Sequence, residues 1–110
     1  MKALLLSSPS QLAVVDFPTP EPQSDEVLLR IRACGICGSD LPRTMVTGAH
    51  RHPLICGHEF SGVLEQPAKG SKRFKGGERV AVFPLIPCGN CPACEDHEYF
   101  HCRSYNFLGS

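Results

Sequence analysis

The first apolar run, Lys2 to Leu6, is followed by Ser7-Ser8-Pro9-Ser10 and a second apolar stretch from Leu12 to Phe17, a pattern that predicts two strands of a hairpin or meander. Pro18, Pro20 and Pro22 cannot donate to a sheet ladder, so an extended connection follows and ends near Ser24. From Val27 the pattern alternates. Val27, Leu29, Ile31 and Ala33 share one face while Arg30 and Arg32 share the other, the period of a half-buried strand. That strand delivers Cys34 and Cys37 to its end. Ser39 and Asp40 favour a helix start and Pro42 is tolerated in a first turn, so a helix of about two turns is expected from Gly38 towards Thr44, stopping before Gly48.

A loop through His50, Arg51, His52 and Pro53 leads to the short segment Leu54-Ile55-Cys56. Gly57-His58-Glu59 then opens a strand through Phe60, Val63 and Leu64, residues 66–77 are polar and turn-rich, and Arg79 to Phe83 reads as a further strand. Short strands punctuated by proline and glycine, with almost no helix, predict a mainly β fold built as a small β-barrel. The cysteine-rich residues that follow form a lobe at its end.

At 110 residues the chain amounts to about one small domain, able to bury roughly two-thirds of its unfolded surface in a single core. Internal repeats are absent. The 11 basic and 11 acidic residues leave no electrostatic footprint for nucleic acid or an anionic membrane, and neither partner is expected. Met1-Lys2 is followed by only four apolar residues before Ser7-Ser8-Pro9, too few for a signal-peptide core, and no later run approaches a membrane span. A reducing, cytoplasmic location is expected, and there clustered cysteines bind metal or carry out chemistry.

Seven cysteines change the picture most. Cys88, Cys91, Cys94 and Cys102 are spaced C-x2-C-x2-C-x7-C, which brings four thiols within 15 residues. Gly89 and Pro92 follow Cys88 and Cys91, where a metal knuckle needs tight turns, and Zn–S bonds of about 2.3 Å can then form without strain. Zinc is the expected occupant; two disulfides or an iron–sulfur cluster are the alternatives on such a spacing. Four protein ligands leave no open position, which makes the site structural. Outside the knuckle, Cys37, His58 and Glu59 place a thiolate, an imidazole and a carboxylate at strand ends, the donor set of an open zinc site with a free position for substrate. A cysteine packed as a small hydrophobe and a hydrogen-bonded His-Glu pair fit the same pattern.

Gly35-Ile36-Cys37-Gly38-Ser39-Asp40, then Gly57-His58-Glu59-Phe60-Ser61-Gly62, then the four-cysteine knuckle stand in the order and approximate spacing of the zinc-dependent medium-chain alcohol and polyol dehydrogenases. The chain resembles the N-terminal, GroES-like part of that family along its whole length, most closely from Gly35 onward. The resemblance implies a GroES-like barrel over residues 1–110 with a structural zinc lobe at 84–104 on Cys88, Cys91, Cys94 and Cys102. It implies a catalytic zinc on Cys37 and His58, with Glu59 as a direct ligand or a group just behind. By the same likeness Ser39 matches the hydroxyl of a proton relay, and Asp40 a residue that buttresses the site near His58. The implied activity is NAD-dependent oxidation of a secondary alcohol in a polyol or polyol phosphate to a ketone, by an enzyme that is homo-oligomeric as a whole.

The chain departs from that family in one large respect. It contains no G-x-G-x-x-G turn and no βαβ pattern, so no cofactor-binding residue is assigned. NAD is expected only in a full-length enzyme, and the 110 residues alone are expected to be inactive. For a phosphate, Arg43, His50 and Arg51 are candidates by type. Cys34 and Cys37 also form a C-x-x-C, readable as a redox pair but without a thioredoxin-like context, and Cys56 reads as packing. Two further functions compete with the dehydrogenase reading: a zinc-stabilised binding module that needs only the knuckle, and a thiol redox protein.

Overall fold

In the computed structural model, which describes residues 1–110, the first apolar run forms β1 (Lys2–Ser8), and Ser10, at φ 62°, turns the chain into β2 (Gln11–Asp16). This is the expected antiparallel hairpin, with Lys2 opposite Asp16. A third strand, β4 (Leu54–Ile55), pairs with the other edge of β1 and gives the order β2-β1-β4. The hairpin tip is not free. Ser10 donates its backbone N–H to Thr44 O at 2.8 Å and its hydroxyl to Met45 O at 2.7 Å, tying the turn to the segment that follows Cys37.

A second sheet, ordered β3-β5-β6, positions the chemistry. In it β3 (Leu28–Gly35) runs antiparallel to β5 (Glu59–Gln66), which pairs in turn with β6 (Arg79–Ala81). Gly35 faces Glu59 and Cys34 faces Phe60, so the end of one strand and the start of the other meet. The approach is close, since a Cβ on Gly62 would lie 2.3 Å from Arg30 O. The alternating face expected from Val27 to Ala33 is covered only at Leu29, which is half-buried, while Val27 is 42% and Ile31 49% exposed. The register shifts between Leu28 and Leu29 and again between Ile31 and Ala33, so the alternation slips in mid-strand.

The two-turn helix is also corrected. A three-residue α-helix, α1 (Asp40–Pro42), opens into a π-helical turn over Arg43–Thr47 that ends at Gly48, as expected, with φ 78°. Thr44 donates its hydroxyl to Asp40 O at 2.7 Å and Thr47 to Pro42 O at 3.2 Å, and such side-chain competition for carbonyls loosens an α-helix. Beyond β6, β7 (Leu85–Ile86) pairs with β8 (Asn106–Phe107) and brackets the cysteine lobe. Within the lobe, α2 (Pro92–Glu95) starts after Cys91 with proline in its first turn. No helix is long and apolar enough to cross a membrane.

The mainly strand architecture is as expected, but it does not gather one consolidated core. Nine of 110 residues are buried, and the radius of gyration of 15.4 Å exceeds the roughly 13 Å of a compact domain of this length. Three of the buried residues are polar: Asp40, Thr44 and His58. Burying such groups is costly unless they are bonded to something, so their clustering beside Cys37 marks the site.

Candidate metal centres

In the cysteine lobe Cys88, Cys91, Cys94 and Cys102 bring their sulfurs within 4.8 Å of one another. Ligands held tetrahedrally at about 2.3 Å from zinc stand ~3.8 Å apart, and the Cys91–Cys94 and Cys88–Cys94 separations of 3.6 and 4.0 Å bracket that value. All seven thiols are free. The local electrostatics suit thiolates. Backbone N–H groups, that of Arg103 foremost, lower the Cys91 pKa to about 6, and the Cys88 N–H, 3.2 Å from the Cys102 sulfur, holds Cys102 below its ordinary value. Burial pushes Cys94 up to about 11. Four thiolates therefore coexist here at neutral pH only around a cation, which deprotonates the thiols it coordinates.

The second cluster is assembled from distant residues. Cys37 follows the end of β3 while His58 and Glu59 stand at the start of β5, and the β3–β5 register brings their ligand atoms within 4.8 Å. Gly35 leaves room for the Glu59 carboxylate as placed, since a Cβ there would come within 2.6 Å of Glu59 Oε2. Behind the cluster, Asp40 Oδ2 accepts the Cys37 N–H at 3.0 Å, and Oδ1 accepts an Arg43 N–H at 2.9 Å. Oδ1 also lies 3.4 Å from His58 Nδ1. That distance is within ion-pair range, yet Nδ1 is buried and makes no hydrogen bond. A His ligand that binds metal through Nε2 needs such an acceptor for its Nδ1–H, so the orphaned atom and its carboxylate neighbour fit a metal at this position.

Ser39 occupies the position before α1 but makes no side-chain capping bond, which leaves its hydroxyl available. It lines a shallow cleft of about 300 Å³ with Pro42, Arg43, Thr47, Gly48, Ala49 and His50. The cleft loop is pinned by His52, whose Nε2 accepts the Ala49 N–H at 3.2 Å while Nδ1 faces Leu6 O at 3.4 Å. Of the three cationic candidates for a phosphate, His50 and Arg43 line this cleft, Arg43 with its guanidinium already bonded to Asp40, while Arg51 does not line it. Cys34 is exposed and is not among the converging donors, though its sulfur lies against Gly57, where a Cβ would come within 2.6 Å of it. Cys56 is half-buried, and burial followed by the negative charge of Asp40 raises its pKa.

Two contributors were not legible in the sequence. Phe107, on β8, packs edge-on against the His58 ring with centroids 5.6 Å apart and an interplanar angle of 70°. Two residues on, Gly109 at φ 73° brings its backbone so close that Gly57 N–H donates to Gly109 O at 3.1 Å, and a Cβ there would lie 1.8 Å from Gly57 O. The Phe-Leu-Gly-Ser ending was the only signal, and nothing local says what it touches.

A family model described as the alcohol dehydrogenase GroES-like domain matches residues 23–110. Galactitol 1-phosphate 5-dehydrogenase of Escherichia coli (strain K12) is 40% identical over 111 residues, covering 100% of this chain and 32% of that protein. The crystal structure of galactitol-1-phosphate dehydrogenase from Escherichia coli superposes with a TM-score of 0.93 at 40% identity, over 100% of this chain and 32% of that one. Sorbitol dehydrogenase of Bacillus subtilis (strain 168) is 36% identical over 100% of this chain and 32% of its own length. The alcohol dehydrogenase rspB from E. coli CFT073, solved with the cofactor NADH, gives a TM-score of 0.89 at 36% identity, over 99% of this chain and 32% of that one. The chain thus spans about a third of the length of the curated relatives it matches.

Proposed function

Since the chain belongs to the alcohol dehydrogenase GroES-like domain family, we propose that it forms the zinc- and substrate-binding part of an NAD-linked polyol dehydrogenase, with a polyol phosphate such as galactitol 1-phosphate as substrate. The observation that carries this reading is the convergence of Cys37, His58 and Glu59 within 4.8 Å, with the cleft-lining Ser39 two residues on from Cys37. Residues 84–104 form a structural zinc lobe on Cys88, Cys91, Cys94 and Cys102, and Cys37, His58 and Glu59 hold the catalytic ion.

When bound, that zinc supplies Lewis acidity, which lowers the pKa of a hydroxyl placed against it. Cys37 and His58 would hold the ion, and Asp40 Oδ1, 3.4 Å from His58 Nδ1, is the carboxylate placed to take the Nδ1–H and so set the tautomer and orientation of the imidazole once it is ligated. Ser39 accepts the proton leaving the substrate hydroxyl and passes it along the cleft to solvent. Thr47 and His50 add polar groups along that wall for the remaining hydroxyls of a polyol. In the whole enzyme the carbinol carbon becomes a ketone, with NAD as hydride acceptor.

Amide chemical-shift mapping tests the reading. Galactitol 1-phosphate added to the zinc-loaded chain is expected to shift resonances of Ser39, Thr47 and His50, and to leave them unmoved in His58→Ala. Shifts that are equal with and without His58, or confined to residues away from this cleft, would remove the assignment.

A further inference from the structure

Arg43 was a candidate for binding a phosphate, yet the structure gives it another task. Its guanidinium donates to Asp40 Oδ1 at 2.9 Å, and the pair is mostly enclosed, with side chains 18% and 12% exposed. The same carboxylate oxygen faces His58 Nδ1, and the other oxygen takes the Cys37 N–H. Resting on the metal reading above, we infer that Arg43 is a positioning residue for the Cys37–His58–Glu59 centre: it locks the Asp40 carboxylate, which orients both the imidazole and the backbone of the thiolate ligand.

Asp40 is an enclosed anion with three claimants, and only Arg43 brings a full positive charge. Without it the carboxylate is left enclosed and unpaired, a costly state relieved by turning towards water. That rotation takes away both the carboxylate oxygen that faces His58 Nδ1 and the acceptor of the Cys37 N–H. The π-helical turn that begins at Arg43, and the Thr44 hydroxyl on Asp40 O, keep the two side chains on one side of the segment. An opposing effect exists: deleting a cation near the centre should by itself attract a divalent ion more strongly. The two effects differ in sign, and this makes the inference decidable. A group that braces a metal ligand is typically worth 10- to 100-fold in affinity, so loss of the brace lowers zinc affinity while loss of the charge alone raises it.

The test measures zinc affinity of the second, weaker site of the 110-residue chain by chelator competition, and follows Co²⁺ binding by its visible absorption, in wild type, Arg43→Met and Arg43→Lys. The expected result is affinity lowered about 10-fold in Arg43→Met, with an altered cobalt spectrum and partial recovery in Arg43→Lys. Affinity that is unchanged or tighter in Arg43→Met overturns the inference, as does loss of the knuckle ion in the same variant, which would make Arg43 a support of the fold. A wild-type chain with no second ion at all would instead sink the metal reading of Cys37, His58 and Glu59, and this inference with it. Weaker galactitol 1-phosphate binding with metal affinity untouched would return Arg43 to the substrate.

Discussion

The cysteine lobe and the Cys37–His58–Glu59 centre both gather donor atoms within 4.8 Å, but by opposite means. The lobe closes over 15 contiguous residues through two two-residue spacers and one of seven residues. The other centre joins residues 21 and 22 positions apart, and holds together only while β3 keeps its register with β5, Asp40 stays paired and Phe107 covers His58. A local cluster carries its own geometry. An assembled one borrows geometry from every element that meets there, and loosens when any of them moves.

The largest effect separates the two directly. Cys94 is buried with its sulfur 3.6 Å from that of Cys91 and 4.0 Å from that of Cys88, so Cys94→Ser should abolish the knuckle ion and unfold residues 88–102, because structural zinc contributes about 10–16 kcal/mol in zinc-finger peptides. Elemental analysis and limited proteolysis read the outcome. Zinc that chelator removes quickly, assigned to Cys37 and His58, should survive; its disappearance with the lobe would show the regions to be one unit.

Next comes the seam between them. Gly109→Ala places a Cβ 1.8 Å from Gly57 O on a backbone at φ 73°, so steric overlap and strain together should cost about 2–4 kcal/mol of docking of the final segment. Hydrogen exchange should speed up at Gly57 and His58, and the labile ion should bind more weakly. The knuckle should not change. Normal exchange at Gly57 would mean that the final segment covers His58 only incidentally.

The same contrast explains what could be read from residues alone. The knuckle was legible as chemistry because spacing fixes distance over so few bonds. The open centre needed likeness to known enzymes, since a Cys, a His and a Glu on different strands say nothing of each other until the register is known. Strand positions β1, β2 and β5 followed from apolar runs. The buried face of β3 did not, since a bulge is invisible to a period-2 pattern, and two-residue strands such as β7 and β8 are too short to show any period. Arg43 was legible as a cation but not as the partner of Asp40, because a short α-helix running into a π-helical turn sets which side chains meet.

A smaller effect distinguishes the two ions in the unaltered fold. On the proposed assignment, with three protein ligands at the open centre and four at the knuckle, dialysis against a mild chelator should strip zinc in a fast and a slow phase. Cys37→Ala should remove the fast phase and leave the slow one, with affinity at the open centre reduced at least 10- to 100-fold. A fast phase that persists in Cys37→Ala would place the labile ion elsewhere.

The smallest effect tests whether the β5 side can be weakened without touching either set of ligands. Glu78 closes the turn that feeds β6, accepting the Lys75 N–H at 2.7 Å and the Gly76 N–H at 2.8 Å, while Leu64 N–H on β5 donates to Glu78 O at 2.9 Å. These N–H groups, that of Lys75 first, lower its pKa below the ordinary 4.5, so the charged carboxylate is favoured in the folded chain. The sign follows from linkage. The contribution is complete above pH 4.5 and is lost as pH falls below that value through the folded pKa. Glu78→Gln should therefore be less stable than wild type in urea at pH 7, and the difference should shrink as pH is lowered below 4.5, because wild type alone loses a charge there. Acid release of zinc affects both proteins alike and cancels in the difference. The penalty is small, since water screens the side chain, and it should fall on β6 and β5 with the slow zinc phase unchanged. A gap between the two proteins that stays constant with pH would mean that the turn is held by its glycines, Gly76 and Gly77, rather than by the Glu78 carboxylate.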